Sequence, residues 1–275
     1  MRLISLLLTF ALLAANARAA DYPVEVKTVT FKNLVARLYL PKAAGKVPVV
    51  IAFGGSDGGL NGGNGNGDLL APQGIAVLSL AFFKEAGIPA TLDQIPMEYF
   101  ISAVDYLVTV PAVDAGKIGV VSGSRGSEAA LLLASLDTRI RSVVVTTPSN
   151  VAWQGMTLAK SAWTYQGQDI PALAMGLDEH APKVSRFEAA LANKDNVRRA
   201  QFALEKIRGP IFLVSAQKDQ IWPSWQMATD ITAYLKAHDF QYSVTHSSYP
   251  TGHGFSRESA PEIKRSIVEH FQRTL

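Results

Sequence analysis

The sequence predicts an α/β protein with a mostly parallel central sheet of about eight strands, helices on both faces and a small insertion. Three observations predict it. Near-continuous apolar runs recur at residues 47–53, 75–83, 118–121, 140–146 and 211–215, as expected for strands buried on both faces. Helical spacing separates them, as in Met97, Phe100, Ile101, Val104, Leu107 and Val108, or in Ile263, Ile267 and Phe271, so strands alternate with crossover helices. The 275 residues are 48% hydrophobic and only 18% charged, enough to bury one substantial core, and no biased block interrupts the pattern.

Taken in order, residues 24–40 read as an antiparallel pair: Val24-Glu25-Val26-Lys27 alternates, a turn falls near Asn33, and residues 34–40 are apolar again. A weaker run at 240–245 is the last strand candidate, and Pro261 opens the last helix, where a first-turn proline is tolerated. Residues 150–208 break the rhythm with Trp153, Trp163, Tyr165 and several glycines. An insertion of this kind covers a site at the strand ends.

Residues 1–19 read as a cleavable signal peptide. Arg2 supplies the positive start, residues 3–13 an apolar run too short for a bilayer of ~30 Å, and Ala17-Arg18-Ala19 the small residues a signal peptidase reads. Residues 20–275 are then one domain of an exported protein, periplasmic or secreted. Removing Arg2 and Arg18 from the 26 basic residues leaves 24 against 23 acidic ones. With no basic block either, a nucleic-acid partner is not expected. The absence of cysteine excludes disulfides, a thiol nucleophile and thiolate ligands.

The chemistry centres on Ser122-Gly123-Ser124-Arg125-Gly126, which joins the apolar run at 118–121 to the helical run Glu128-Ala129-Ala130-Leu131-Leu132-Leu133. A nucleophile elbow is a sharp strand-to-helix turn, and it needs small residues two before and two after the nucleophile. Ser122 and Gly126 hold those positions, so Ser124 is the candidate nucleophile and the fold class narrows to the α/β-hydrolase fold. The elbow leaves the N–H of Arg125 at a helix start, suited to an oxyanion.

Serine needs a base, and the base needs an orienting acid. Asp219 follows the run at 211–215, and His253 lies in Tyr249-Pro250-Thr251-Gly252-His253-Gly254 before the last helix, which gives the order Ser, Asp, His. The other histidines have simpler readings. His238 and His270 lie near helix ends, where a cation suits the dipole, His180 is in the insertion, and His246 is within the last strand, below the loops. Asp219 has a second reading, as a cap before Trp222-Pro223-Ser224.

The glycine cluster at 54–59 follows a strand and offers the N–H of Gly55 or Ser56 as the second half of an oxyanion hole. It lacks the Gly-Lys-Ser/Thr ending of a phosphate cradle. Its continuation, residues 61–67, reads as a surface loop. Trp153, Trp163 and Trp222 are candidate walls of an acyl pocket, with Trp222 and Trp153 the assigned substrate-binding pair, or else they form the insertion's own small core. No metal-ligand spacing occurs, and no cofactor is expected.

These residues resemble the C-terminal catalytic domain shared by acyl-CoA thioester hydrolases and bile acid-CoA:amino acid N-acyltransferases. The resemblance covers residues 54–60 (GGSDGGL), 74–83, 92–107, 124–135, 206–224 with DQIWPS, and 249–253 (YPTGH). It implies Ser124 as nucleophile, Asp219 as acid, His253 as base, and an acyl ester or thioester substrate. Serine stands where the amino-acid-conjugating branch carries cysteine. The N-terminal β-sandwich of the animal enzymes has no counterpart here, and Lys218 and Ser122 replace an acidic residue and a glycine. Export sits poorly with coenzyme A thioesters, which are cytosolic. Three functions follow as expectations: hydrolysis through an acyl-enzyme, acyl transfer to an amine or alcohol, and non-catalytic binding on a hydrolase scaffold.

Overall fold

The apolar runs form the strands of one eight-stranded sheet in the computed structural model, which describes residues 21–176 and 178–275. The expected leader lies outside the described residues. Strands β1 (Val24–Thr28) and β2 (Val35–Pro41) pair antiparallel, and β2 runs antiparallel to β4 (Ala76–Ala81). From there the sheet is parallel through β3 (Val47–Ala52), β6 (Val113–Gly123), β7 (Ile140–Thr146), β10 (Ile211–Ala216) and β11 (Val244–Tyr249). The order is β1-β2-β4-β3-β6-β7-β10-β11.

Both faces are covered, which explains the unbroken hydrophobic runs. Val49, Ile51 and Phe53 point to a core shared with α2 (Met97–Val108), α3 (Arg125–Leu136) and α6 (Ser224–Ala237). The alternate residues Val50 and Ala52 meet α1 (Asn61–Leu70) and α7 (Ala260–Thr274) through Leu70, Ile263, Ile267 and Phe271. Each fully buried aliphatic or aromatic side chain contributes roughly 1.5–3 kcal/mol. The insertion holds β8 (Trp163–Tyr165), β9 (Gln168–Asp169), α4 (Lys183–Ala192) and α5 (Lys194–Ala200), and β8 joins β5 (Ile95–Pro96) and β9 in a separate three-stranded sheet. Its third core packs Trp153, Leu173, Phe187, Leu191 and Trp222 together. No helix among the described residues is long and apolar enough to cross a membrane.

Two sequence expectations are corrected. Residues 61–67 are not a surface loop but most of helix α1. Each interior glycine costs a helix about 1 kcal/mol, so local propensity points away from it, and close packing on the sheet explains the choice. A Cβ on Gly62 would lie 2.5 Å from the Gly54 Cα, one on Gly63 2.6 Å from the Ala52 carbonyl, and one on Gly67 2.7 Å from the Tyr39 ring. The last strand is at Val244–Tyr249, not 240–245. Being, among the described residues, an edge strand that pairs only with β10, it carries Thr, Ser and His, while the apolar Phe240 packs on the core from the preceding loop.

The glycines of α1 therefore separate into two kinds. Gly63→Ala, where a methyl meets backbone, should cost about 1–3 kcal/mol of stability by overpacking. Gly65→Ala, where a Cβ meets nothing within 4 Å, should gain about 0.5–1 kcal/mol. Urea denaturation of the two variants checks this, and equal effects would contradict the packing account.

Candidate functional site

Strand β6 ends at Gly123 and α3 begins at Arg125, so the whole turn falls on Ser124. Its backbone sits at φ +54°, ψ −132°, a conformation costing a non-glycine residue on the order of 1–3 kcal/mol. Neighbours hold it there. The Ser124 N–H donates to the Thr146 carbonyl at 3.0 Å, and the Ser127 N–H donates to the Ser124 carbonyl at 2.9 Å. Any Cβ on Gly126 would collide with the Ser122 hydroxyl and the Gly54 carbonyl. Ser122 fits in place of glycine because its hydroxyl is buried and donates to the Phe53 carbonyl at 2.9 Å.

The structure brings Ser124, His253 and Asp219 together. His253 Nε2 lies 2.9 Å from Ser124 Oγ, and His253 Nδ1 lies 2.9 and 2.8 Å from the two Asp219 oxygens. With Nδ1–H donating to the carboxylate, Nε2 is left to accept the serine proton; this tautomer is the one the network requires. Asp219 sits just past β10 and is 8% exposed. It also receives the N–H groups of Ile221 and Trp222 and the Ser224 hydroxyl, the last at 2.6 Å. Capping of this turn and orientation of His253 thus coexist in one carboxylate. Burial alone would raise the Asp219 carboxyl; the hydrogen bonds from His253 and Ser224, the electrostatic pull of the imidazole and the Ile221 N–H together hold it below the usual carboxylate range.

The oxyanion candidates lie beside Ser124. A Cβ on Gly55 would stand 3.0 Å from Ser124 Cβ and 3.6 Å from the Arg125 nitrogen, so the Gly55 backbone runs past both. Ser56 lines the same cavity as Ser124 and His253. The rival histidines are engaged elsewhere. His246, on β11, bonds the Ser215 hydroxyl at 2.7 Å. His270 is not a helix-end cation: it is buried against Ser142, and burial, with Arg273 nearby, pushes it down to about 4.

The tryptophan assignment needs correction. Trp222 is 1% exposed, donates its indole N–H to the Thr147 carbonyl at 3.2 Å, and sets its ring edge-on to His253 with centroids 6.1 Å apart. It supports the imidazole and is not a pocket wall. Trp153 is equally buried and packs mainly on Phe187, though one edge borders a cavity beneath the insertion.

Sequence reasoning missed Glu128, Ser224 and the side chain of Arg125. Glu128 has no exposure, on the first turns of α3, and its Oε2 accepts from the Trp153 N–H at 3.0 Å and the Trp163 indole at 2.8 Å. Arg125 Nε stands 2.8 Å from Glu128 Oε1 as an ion pair without hydrogen-bond alignment, and its Nη2 donates to the carbonyls of Gln154 and Trp153. Elbow helix and insertion are therefore fastened at one buried point. A lone carboxylate in an otherwise apolar helical run was the available signal. Among the described residues, no group of three or more His, Asp or Glu gathers as a metal site would require.

Burial drives the Glu128 carboxyl up to about 7, against the pull of Arg125 and the two tryptophan donors. A carboxyl whose folded pKa is raised binds its proton longer in the folded state than in the unfolded one. Folded-state stability therefore falls as pH rises from the ordinary Glu value of 4.5 to about 7. Glu128→Gln should abolish that fall, gaining on wild type by on the order of 3 kcal/mol across the window. Urea midpoints at pH 4.5, 5.5 and 7.5 test this, and a constant difference would contradict it.

Comparison with known proteins places the chain in a family. Human acyl-coenzyme A thioesterase 1 is 29% identical over 237 residues, which cover 84% of this chain and 54% of that protein. Mouse peroxisomal succinyl-coenzyme A thioesterase is 30% identical over 222 residues, covering 79% and 51%. The chain thus spans about half the length of these curated relatives. Among solved structures, acetyl xylan esterase 1 from Thermoanaerobacterium sp. JW/SL YS485 superposes with a TM-score of 0.55 at 18% identity, covering 92% of this chain and 89% of that one. A puromycin-hydrolyzing peptidase from Mycobacterium tuberculosis gives 0.65 at 12%, covering 95% and 41%. These share the α/β-hydrolase fold. The model of the BAAT / acyl-CoA thioester hydrolase C-terminal family matches residues 95–273, and with well over half its length matched the chain belongs to that family.

Proposed function

We propose that this protein is an exported serine hydrolase that cleaves carboxylic esters or thioesters through an acyl-enzyme on Ser124. The observation that carries the reading is the unbroken hydrogen-bonded line from Ser124 Oγ through His253 to Asp219, set on a strained elbow at the sheet's carboxyl edge. The thioesterase names of the relatives support an acyl substrate, and the resemblance in the segments around 124, 219 and 253 supports the roles.

In this mechanism His253 takes the Ser124 proton as Oγ attacks the carbonyl carbon. The carbonyl electrons move onto oxygen, where the N–H groups of Arg125 and of Gly55 or Ser56 hold the charge. Collapse breaks the bond to the leaving oxygen or sulfur, which receives the proton from His253. Water, deprotonated by the same imidazole, then releases the acid. Asp219 keeps Nδ1 protonated and steadies the imidazolium. A leader at residues 1–19 takes the enzyme out of the cytoplasm, which favours an ester or a small thioester over a coenzyme A thioester.

Ser124→Ala should abolish turnover of p-nitrophenyl esters, and Asp219→Asn should lower kcat by about 10³–10⁴-fold with KM little changed. Steady-state kinetics on purified protein check both, and wild-type rates equal to buffer would favour a binding module on the same scaffold. Expressed with its leader in a secreting bacterial host, the mature chain should begin at Ala20 by intact mass. Retention of Met1 would remove the export reading.

A further inference from the structure

Two cavities border Ser56. The larger, about 520 Å³, holds Ser124 and His253 and runs between α1 and α7 over Val121, with Gly65 and Leu69 on one wall and Ile263, Lys264 and Ile267 on the other. The smaller, about 200 Å³, lies beneath the insertion and is walled by Leu92, Met156, Leu158, Met175 and Phe187, with Arg125 at its inner end. Ser56 lines both. Gly55 and Arg125 flank the nucleophile on this side, so a carbonyl held by these backbone groups would have one cavity on each side.

We propose that the two cavities divide the substrate, the acyl chain entering the arm beneath the insertion and the leaving group lying in the groove between α1 and α7. This rests on the hydrolase reading above and fixes the direction in which a substrate lies. Proton transfer decides the direction. When the bond to the acyl carbon breaks, the leaving oxygen or sulfur takes its electron pair and must receive the proton on His253 Nε2. His253 borders the larger cavity and not the smaller, so the leaving group departs along the α1–α7 groove.

The walls agree with this direction. At the mouth of the smaller arm Met156 and Leu158 are 47% and 44% exposed, two large apolar side chains left in water on one turn. Leu158 holds φ +59°, a costly conformation for leucine. The turn is pinned there by Thr157, whose N–H and hydroxyl both donate to Asp93 Oδ1 at 3.0 and 2.6 Å. A strained apolar lip fixed over an apolar cavity fits an alkyl chain. The groove carries Asn61, Asn66 and Lys264 along an apolar floor, and Gly65 leaves it open, because a Cβ there would meet nothing within 4 Å. The favoured substrates are therefore esters or thioesters of short to medium acyl chains on a bulkier, partly polar alcohol or thiol.

Two variants test the assignment without burdening the fold. Leu158→Gly suits the left-handed backbone, and Gly65→Phe grows into open space. For Leu158→Gly, the ratio of kcat/KM on p-nitrophenyl octanoate to that on p-nitrophenyl acetate should fall about tenfold, as loss of contact with a few methylenes implies. For Gly65→Phe, S-butyryl-pantetheine should fall about tenfold relative to p-nitrophenyl butyrate, as a filled pocket implies, with the octanoate-to-butyrate ratio unchanged. Exchanged effects, with Gly65→Phe altering chain-length preference and Leu158→Gly the leaving-group preference, would overturn the direction. Variants indistinguishable from wild type on every substrate would overturn the two-arm division. A wild-type protein that turns over none of these esters overturns the hydrolase reading itself, and the assignment with it.

Discussion

At the crossing of β6, α3 and the loop after β3, three backbones come so close that side chains have no room. Gly126 faces the Gly54 carbonyl, and Gly55 faces the Gly123 carbonyl and the Ser124 side chain. That contact forces Ser124 to φ +54° and throws its hydroxyl out of the sheet's edge toward His253. It also lays the loop containing Gly55 and Ser56 beside the first amide of α3. The positions of Ser124, of its contact with His253 and of the oxyanion candidates thus share one steric cause. The strain is held by the sheet on one side, through Thr146, and by a fully packed helix on the other, where Ala129 to Ala134 are all buried.

The same helix reaches the insertion through Arg125 and Glu128. A buried carboxyl that receives two tryptophan N–H groups and faces a guanidinium is costly to form and costly to break, so the hairpin carrying Met156 and Leu158 is held at a defined height above the elbow. Asp219 does comparable work on the other side. By accepting from Ile221, Trp222 and Ser224 it folds the loop after β10 around itself, and Trp222 so placed supports the imidazole that the carboxylate orients. The insertion and the loop after β10 are thus each tied to the elbow region by one of these two buried carboxyl groups.

Much of this was legible in the sequence, for identifiable reasons. Strands buried on both faces announce themselves as apolar runs, and the elbow at Ser124 could be read because it needs a strand, small residues and a helix within a dozen positions. Asp219 and His253 were nominated by chain order and by loops following strands. Helix α1 was not legible, since the reason for Gly63 and Gly67 is a sheet surface formed by Ala52, Ser79 and Tyr39, and the reason for Gly62 is the Gly54 backbone just past β3, contacts that exist only in the folded chain. The last strand slipped because an edge position does not demand apolar residues. Trp222 was misread as a pocket wall because a sequence does not reveal which large aromatic keeps a free face. Glu128 was passed over inside an apolar helix, although a carboxylate there needs partners, and those partners lie in the insertion.

The claim on which the rest depends is that Ser124 is activated by His253. Reaction of the folded protein with a fluorophosphonate probe, followed by peptide mass analysis, tests it most directly. The account predicts a single adduct on the peptide containing Ser124, forming readily in wild type and lost in His253→Ala. Folded protein that stays unlabelled, or that carries the adduct elsewhere, would contradict it.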